Sequence, residues 1–250
     1  MHPSLTHLAG RTRLAVRRLL RRAGVDVVRY ASGKEAARLM SVFGRLGVDL
    51  VLDVGANRGQ YAIALRREGY RGNIASFEPG IEAFRQLAMA ARDDARWSTH
   101  NVAVGDRSAT VTLHVSADST SSSVLTAAEL LTASAPGTRA IERHSVQQHR
   151  LDDLAYARVE RSQGVFLKID AQGYEHQVLK GSPEILRRAL GLQVEMSLAQ
   201  LYKDQHTYLD VLTWLGERGF SLFDILPGFS DTRTGRLLQF DGLLVRSEML

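Results

Sequence analysis

The run Val51-Leu-Asp-Val-Gly-Ala-Asn-Arg-Gly-Gln-Tyr61 constrains the fold more than any other stretch of the chain. An apolar segment ends in Asp53, breaks at Gly55, passes Gly59 and continues from Gln60 into an amphipathic stretch, which reads as strand, tight turn and helix. The next apolar run, Ala75-Ser-Phe, closes on Glu78, which follows Gly59 by 19 residues. In a doubly wound sheet, ligands settle outside the carboxyl ends of the strands. Glycines there admit the backbone, and an acid about 20 residues further on accepts from ribose hydroxyls. The pattern predicts an adenosine-bearing ligand.

The spacing of the glycines narrows the choice. A dinucleotide turn reads G-x-G-x-x-G, whereas Gly55 and Gly59 here enclose Ala56, Asn57 and Arg58. Asp53 at the strand tip would repel a pyrophosphate but suits the amino group of the methionyl part of S-adenosylmethionine (SAM). The pattern D-x-G-x-N-x-G resembles the first motif of class I SAM-dependent methyltransferases. The alternative is an ordinary strand-to-helix connection.

The remaining pattern alternates strand and helix: strands at 49–54, 73–77, 97–104, 165–170, 192–195, 220–225 and 242–245, with helices at 34–46, 60–68, 81–91, 174–179, 183–190 and 208–218. This predicts an α/β fold, a doubly wound, mostly parallel seven-stranded sheet with helices on both faces. A further strand at 109–115, reached through Gly105-Asp-Arg-Ser108, suggests a hairpin with 97–104. The serine-rich excursion 116–138 is either a lid or a mobile linker. Residues 1–46 read as a helical extension and 47–250 as the catalytic domain. The chain has no cysteine, which excludes disulfides, thiolate metal sites and a cysteine nucleophile.

Phe166-Leu-Lys-Ile-Asp-Ala-Gln-Gly-Tyr-Glu175 and the V-L-x-G run 178–181 join V-L-D-V-G-A-N-x-G-Q-Y, F-E-P and N-V-A-V-G. Together these words resemble the FkbM family of methyltransferases over about 51–195. The resemblance implies a Rossmann-like SAM-dependent O-methyltransferase acting on hydroxyls of sugars or other secondary metabolites. It carries cofactor binding onto Asp53, Gly55, Asn57, Gly59, Gln60 and Glu78, with their neighbours Ala56, Tyr61 and Pro79, and onto Asn101, Val102 and Ala103 near the adenine.

Lys168 and Asp170 share a strand face, and Asp53, Asp170 and Glu195 are expected to converge at the strand tips. Asp170 thus borders both cofactor and acceptor. Asp170 or Glu195 is the predicted base for an acceptor hydroxyl, with Lys168 orienting it or stabilising the alkoxide; a structural ion pair is the alternative. Glu175 is explained equally by a helix start. The scattered histidines show no zinc spacing and read as ordinary surface or core residues, with an approach of His176 to the acceptor as the alternative. A magnesium ion between Asp170 and Glu195 rests on only two ligands, so no metal is predicted.

The net charge of +5 is concentrated early, where Arg11, Arg13, Arg17, Arg18, Arg21 and Arg22 interleave with Leu14, Val16, Leu19 and Leu20. Such a basic amphipathic helix either packs on the domain or lies on an anionic membrane, where a glycolipid acceptor would fit. The expectation is a cytoplasmic protein, with contact at the inner membrane face as a further option. Its acceptor is a small molecule or glycolipid, and no nucleic acid is expected, since no aromatic platform accompanies the charge and no N-P-P-Y or D-P-P-Y word occurs. A nucleic-acid methyltransferase, a nicotinamide-dependent reductase and a non-catalytic SAM-binding module are the rival classes.

Overall fold

The computed structural model describes residues 32–250; the basic stretch 11–22 lies outside them. The first helix, α1 (Ser32–Leu46), leads into β1 (Leu50–Val54), α2 (Gln60–Arg67), β2 (Asn73–Phe77), α3 (Ile81–Ala91) and β3 (Trp97–His100). A smaller sheet follows, made of β4 (Ala103–Val104), β5 (Ala109–Ser116) and β6 (Ala140–His149), with helix α4 (Glu129–Ser134) in the connection. The chain then returns through α5 (Leu151–Val159), β7 (Val165–Ile169), α6 (Glu175–Lys180), α7 (Pro183–Arg188), β8 (Ala189–Ser197), α8 (Tyr208–Gly216), β9 (Phe220–Pro227) and β10 (Gln239–Arg246).

The main sheet has seven strands in the order β3-β2-β1-β7-β8-β10-β9. Only β10 runs against its neighbours. The predicted doubly wound, mostly parallel sheet is therefore present. β1 and β7 are buried along their whole length, as a central parallel strand covered on both faces must be. Alternation sends Leu50, Leu52 and Val54 into one layer with Leu167, Ile169, Val178 and Leu215, and Val51 into the other with Phe43, Leu65 and Phe166. The order reverses between β1 and β7, so the crevice of the sheet opens at their carboxyl ends.

Two local expectations are corrected. The predicted strand 97–104 is split, because Asn101 leaves the sheet and donates from Nδ2 to the carbonyls of Glu78 (2.8 Å) and Pro79 (3.1 Å). The predicted hairpin does not form: β5 pairs antiparallel with β6, which lies between it and β4. The sequence analysis assigns no element to 140–159, where β6 and α5 form. β6 is largely exposed, and so lacks the apolar alternation that marks a half-buried strand.

Candidate active site

Register explains the centre of the site. Asp53 of β1 is level with Ser76 of β2 and Lys168 of β7, so the three side chains form a row across the sheet. Lys168 Nζ lies 3.3 Å from Asp53 Oδ1 and 3.4 Å from Asp170 Oδ2, and donates to the Gly55 carbonyl at 3.3 Å. Ser76 Oγ donates to Asp53 Oδ2 at 3.3 Å and accepts from Trp97 Nε1 at 2.9 Å. Burial would lower the Lys168 pKa, but the carboxylates of Asp170, Asp53 and Asp241 outweigh it and hold the ammonium above its ordinary value. The Tyr61 ring lies 5.6 Å from the same nitrogen. Asp53 has no exposed surface, so the carboxylate expected to meet the methionyl amino group is enclosed between Ser76 and Lys168 instead. It fixes the lysine rather than presenting a free charge.

The turn between β1 and α2 is closed by backbone. The amides of Gly55 and Ala56 donate to the Phe77 carbonyl, and a Cβ on Gly55, at φ +75°, would overlap the carbonyl oxygen of Asp170. Glu78 accepts from the amides of Asn57 (2.9 Å) and Gly80 (2.7 Å), which straps the glycine turn to the tip of β2. Burial nevertheless pushes Glu78 up to about 7 against those two donors. Gly59 takes φ +86°, and Gln60 Oε1 accepts from the Arg58 amide. The side chains of Ala56, Val102 and Ala103 are buried in packing, while Pro79 is half-buried and Asn101 exposed. Asn57, at φ +47°, holds a buried Oδ1 with no hydrogen-bond partner among the described residues. An unpartnered acceptor in a glycine turn and a carboxylate at the next strand tip fit the amino and ribose groups of SAM.

Beyond Lys168 the site is built from side chains. Gln172 Nε2 donates to Asp170 Oδ1 (2.7 Å) and Glu195 Oε2 (3.1 Å), while Gln239 Nε2 donates to Glu195 Oε2 (2.7 Å). The three predicted catalytic residues, Lys168, Asp170 and Glu195, therefore converge. Gln172 Nε2 lies between the two acids, bonded to both. Burial first, then the charges of Asp170, Glu175 and Asp241, raise Glu195 well above the usual carboxylate range. Glu175 accepts through Oε1 from the amides of Ala171 and Gly173, both at 3.0 Å, and so closes the turn before α6.

Gln172, Tyr202 and Gln239 are not among the residues predicted from sequence, because their types carry no catalytic signature. The word Q-G after Asp170 was the available signal, since Gly173, at φ +93°, leaves room for the Tyr202 ring. His176 is buried instead, stacked on His206 at 3.9 Å and edge-on to Trp214, and burial lowers its pKa to about 4. The serine segment spans both halves: Arg58 Nη2 donates to Ser119 Oγ (3.1 Å) and Ser123 Oγ to the Gln172 carbonyl (2.7 Å), while the Ser121 carbonyl lies 3.3 Å from the Tyr202 hydroxyl, whose one hydrogen goes to Gln172 Oε1 (2.8 Å).

Strand order, glycine turn and acidic second tip define a Rossmann-like class I methyltransferase. The profile of the methyltransferase FkbM domain matches residues 53–222, more than half of the chain, which therefore belongs to the FkbM family of SAM-dependent methyltransferases. No curated protein matches it significantly. Among solved structures, it is similar to the magnesium protoporphyrin IX methyltransferase of Synechocystis with bound SAM, at 14% identity over 94% of this chain and 96% of that one, with a TM-score of 0.44. It is also similar to a SAM-dependent methyltransferase of Aquifex aeolicus, at 11% identity over 84% and 89% of the two chains and a TM-score of 0.43. A third is Aeropyrum pernix fibrillarin in complex with natively bound SAM, at 14% identity over 84% and 76% and a TM-score of 0.45. The family assignment rests on the sequence match. Among the described residues, no helix is long and apolar enough to cross a membrane, and no three His, Asp or Glu side chains gather as a metal-holding set.

Proposed function

We propose that the protein methylates a hydroxyl oxygen, with a sugar, free or in a glycolipid, as the acceptor. The observation that carries this reading is the Asp170–Glu195 carboxylate pair, bridged by Gln172, beside Lys168. When bound, SAM supplies an electrophilic methyl group, so the chain must position the acceptor and remove its proton. Glu195 takes that proton, its raised pKa bringing it closer to the basicity an alcohol proton requires. Lys168, held charged, steadies the developing negative charge on the acceptor oxygen and keeps Asp170 in place. Glu78 receives the ribose hydroxyls, and Asn57 Oδ1 the amino group.

We further propose that the protein acts in the cytoplasm, its arginine-rich stretch 11–22 bringing it to the inner membrane face when the acceptor is a glycolipid. The deciding experiment incubates the full chain with methyl-labelled SAM and a panel of glycans and glycolipids. Label on a sugar oxygen, lost in Glu195→Gln, is the expected result; label on nitrogen or on nucleic acid would refute the reading. Liposome flotation of the full chain and of a chain beginning at Lys34 tests the membrane part, which fails if both stay unbound.

A further inference from the structure

Gln172 has no counterpart in the chemistry above, yet its amide is fully engaged. Its two Nε2 hydrogens go to Asp170 Oδ1 (2.7 Å) and Glu195 Oε2 (3.1 Å), and its Oε1 accepts from the Tyr202 hydroxyl at 2.8 Å. This orientation is the one that gives ionised Asp170 a donor and the phenol hydrogen an acceptor; a flipped amide would set Oε1 against the Asp170 carboxylate. The backbone of Gln172 is held as well, at φ +52°, with its carbonyl accepting from Ser123 Oγ at 2.7 Å. Tyr202 is itself buried with its ring against Gly173, so the phenol cannot swing away without displacing that turn.

We infer that Gln172, locked by Tyr202, is a positioning residue that keeps Asp170 and Glu195 side by side and sets the protonation of Glu195. The inference deepens the proposed function and rests on Glu195 being the base. Two carboxylates brought together in a buried site repel; Lys168 pairs with Asp170 and Gln239 donates to Glu195, and Gln172 is the neutral amide that donates to both. Both Gln172 and Gln239 bind Oε2, and Oε1 carries neither, which leaves Oε1 as the atom that accepts the acceptor proton. The groups facing Glu195 are Asp170 and Lys168 from β7 and its tip, Glu175 from α6, Asp241 from β10 and Tyr202 from the loop after β8.

Removing a donor from a carboxylate destabilises its anion, so the midpoint of Glu195 must rise. In Gln172→Asn the amide is one methylene too short to reach both acids, while asparagine tolerates the left-handed backbone. Full-length protein carrying 13C-carboxyl glutamate is titrated by NMR, with the Glu195 signal assigned by its loss in Glu195→Gln. The expected result is an upward shift of about one pH unit or more in Gln172→Asn, a tenfold or greater change in proton affinity. A smaller upward shift is expected in Tyr202→Phe, with SAM affinity unchanged in both. The acid limb of kcat should move with the NMR midpoint. An unmoved or lowered midpoint in Tyr202→Phe, which loses one oxygen and should fold, overturns the inference even if Gln172→Asn does not fold. The two readings fail separately: a raised midpoint without transfer to any sugar removes the acceptor reading alone, and sugar methylation with an unmoved midpoint removes the Gln172 role alone.

Discussion

The two halves of the site are built from different materials. At the tip of β2 the carboxylate of Glu78 is satisfied by the backbone amides of Asn57 and Gly80, and the turn from Gly55 hangs on the Phe77 carbonyl. At the tips of β7 and β8, side chains satisfy one another, with Gln172 and Gln239 donating to carboxylates and Tyr202 to the Gln172 amide. A backbone-built half is suited to a ligand of fixed shape. In the proposed reading, a side-chain-built half can change its acceptor by substitution without unmaking the turn assigned to the cofactor. Lys168 is the joint between them, bonded to Asp53 and Gly55 on one side and Asp170 on the other.

The largest effect is therefore expected at that joint. Lys168→Met leaves Asp53 buried without its cation and should cost ~3–5 kcal/mol in denaturant unfolding, as breaking a buried ion pair does. The double variant with Asp53→Leu should recover much of that loss, whereas an additive double loss would remove Lys168 as the joint. Next comes Glu195→Gln, expected to reduce kcat by about a hundredfold or more, the usual contribution of a general base, while SAM binds as before. In the unsubstituted protein, kcat should rise with pH through a midpoint well above the ordinary glutamate value, because Glu195 in its proposed role as base works only when deprotonated.

The backbone-built half gives a smaller, separable signal. With Glu78 titrating near 7, the ribose hydroxyls meet a carboxylate above that pH and a neutral acid below it, so SAM affinity should weaken as pH falls through about 7. In Glu78→Gln that dependence should vanish and affinity should drop about tenfold, one charge-assisted hydrogen bond's worth. The smallest effect is Glu175→Gln, which keeps an oxygen for the amides of Ala171 and Gly173 and should shift stability by less than about 0.5 kcal/mol. A large loss there would mean that the charge, and not the cap, matters.

The same contrast explains what the sequence revealed. The glycine turn and the strand tip beside it were legible because their residues are near in sequence and their types are dictated by backbone: only glycine fits at position 55, and Glu78 ends the next strand. The convergence of Asp53, Lys168 and Asp170 followed from strand order and side-chain alternation, and the seven-stranded sheet from the run of elements. The enclosure of Asp53 was not legible, since the register that faces it with Lys168 joins residues 115 positions apart. Gln172 and Tyr202 lie 30 residues apart and meet only because the loop after β8 folds back over Gly173. The partner of β5 was misread because Gly105 to Ser108 has the composition of a hairpin turn, while the true partner, β6, lies beyond the serine segment.

Calorimetric titration of SAM into the unsubstituted protein, Glu78→Gln and Glu195→Gln tests the division of the site most directly. Equal affinity for the unsubstituted protein and Glu195→Gln, with weaker binding only in Glu78→Gln, is the predicted result. Equal weakening in both variants, or no SAM binding by the unsubstituted protein, would contradict it.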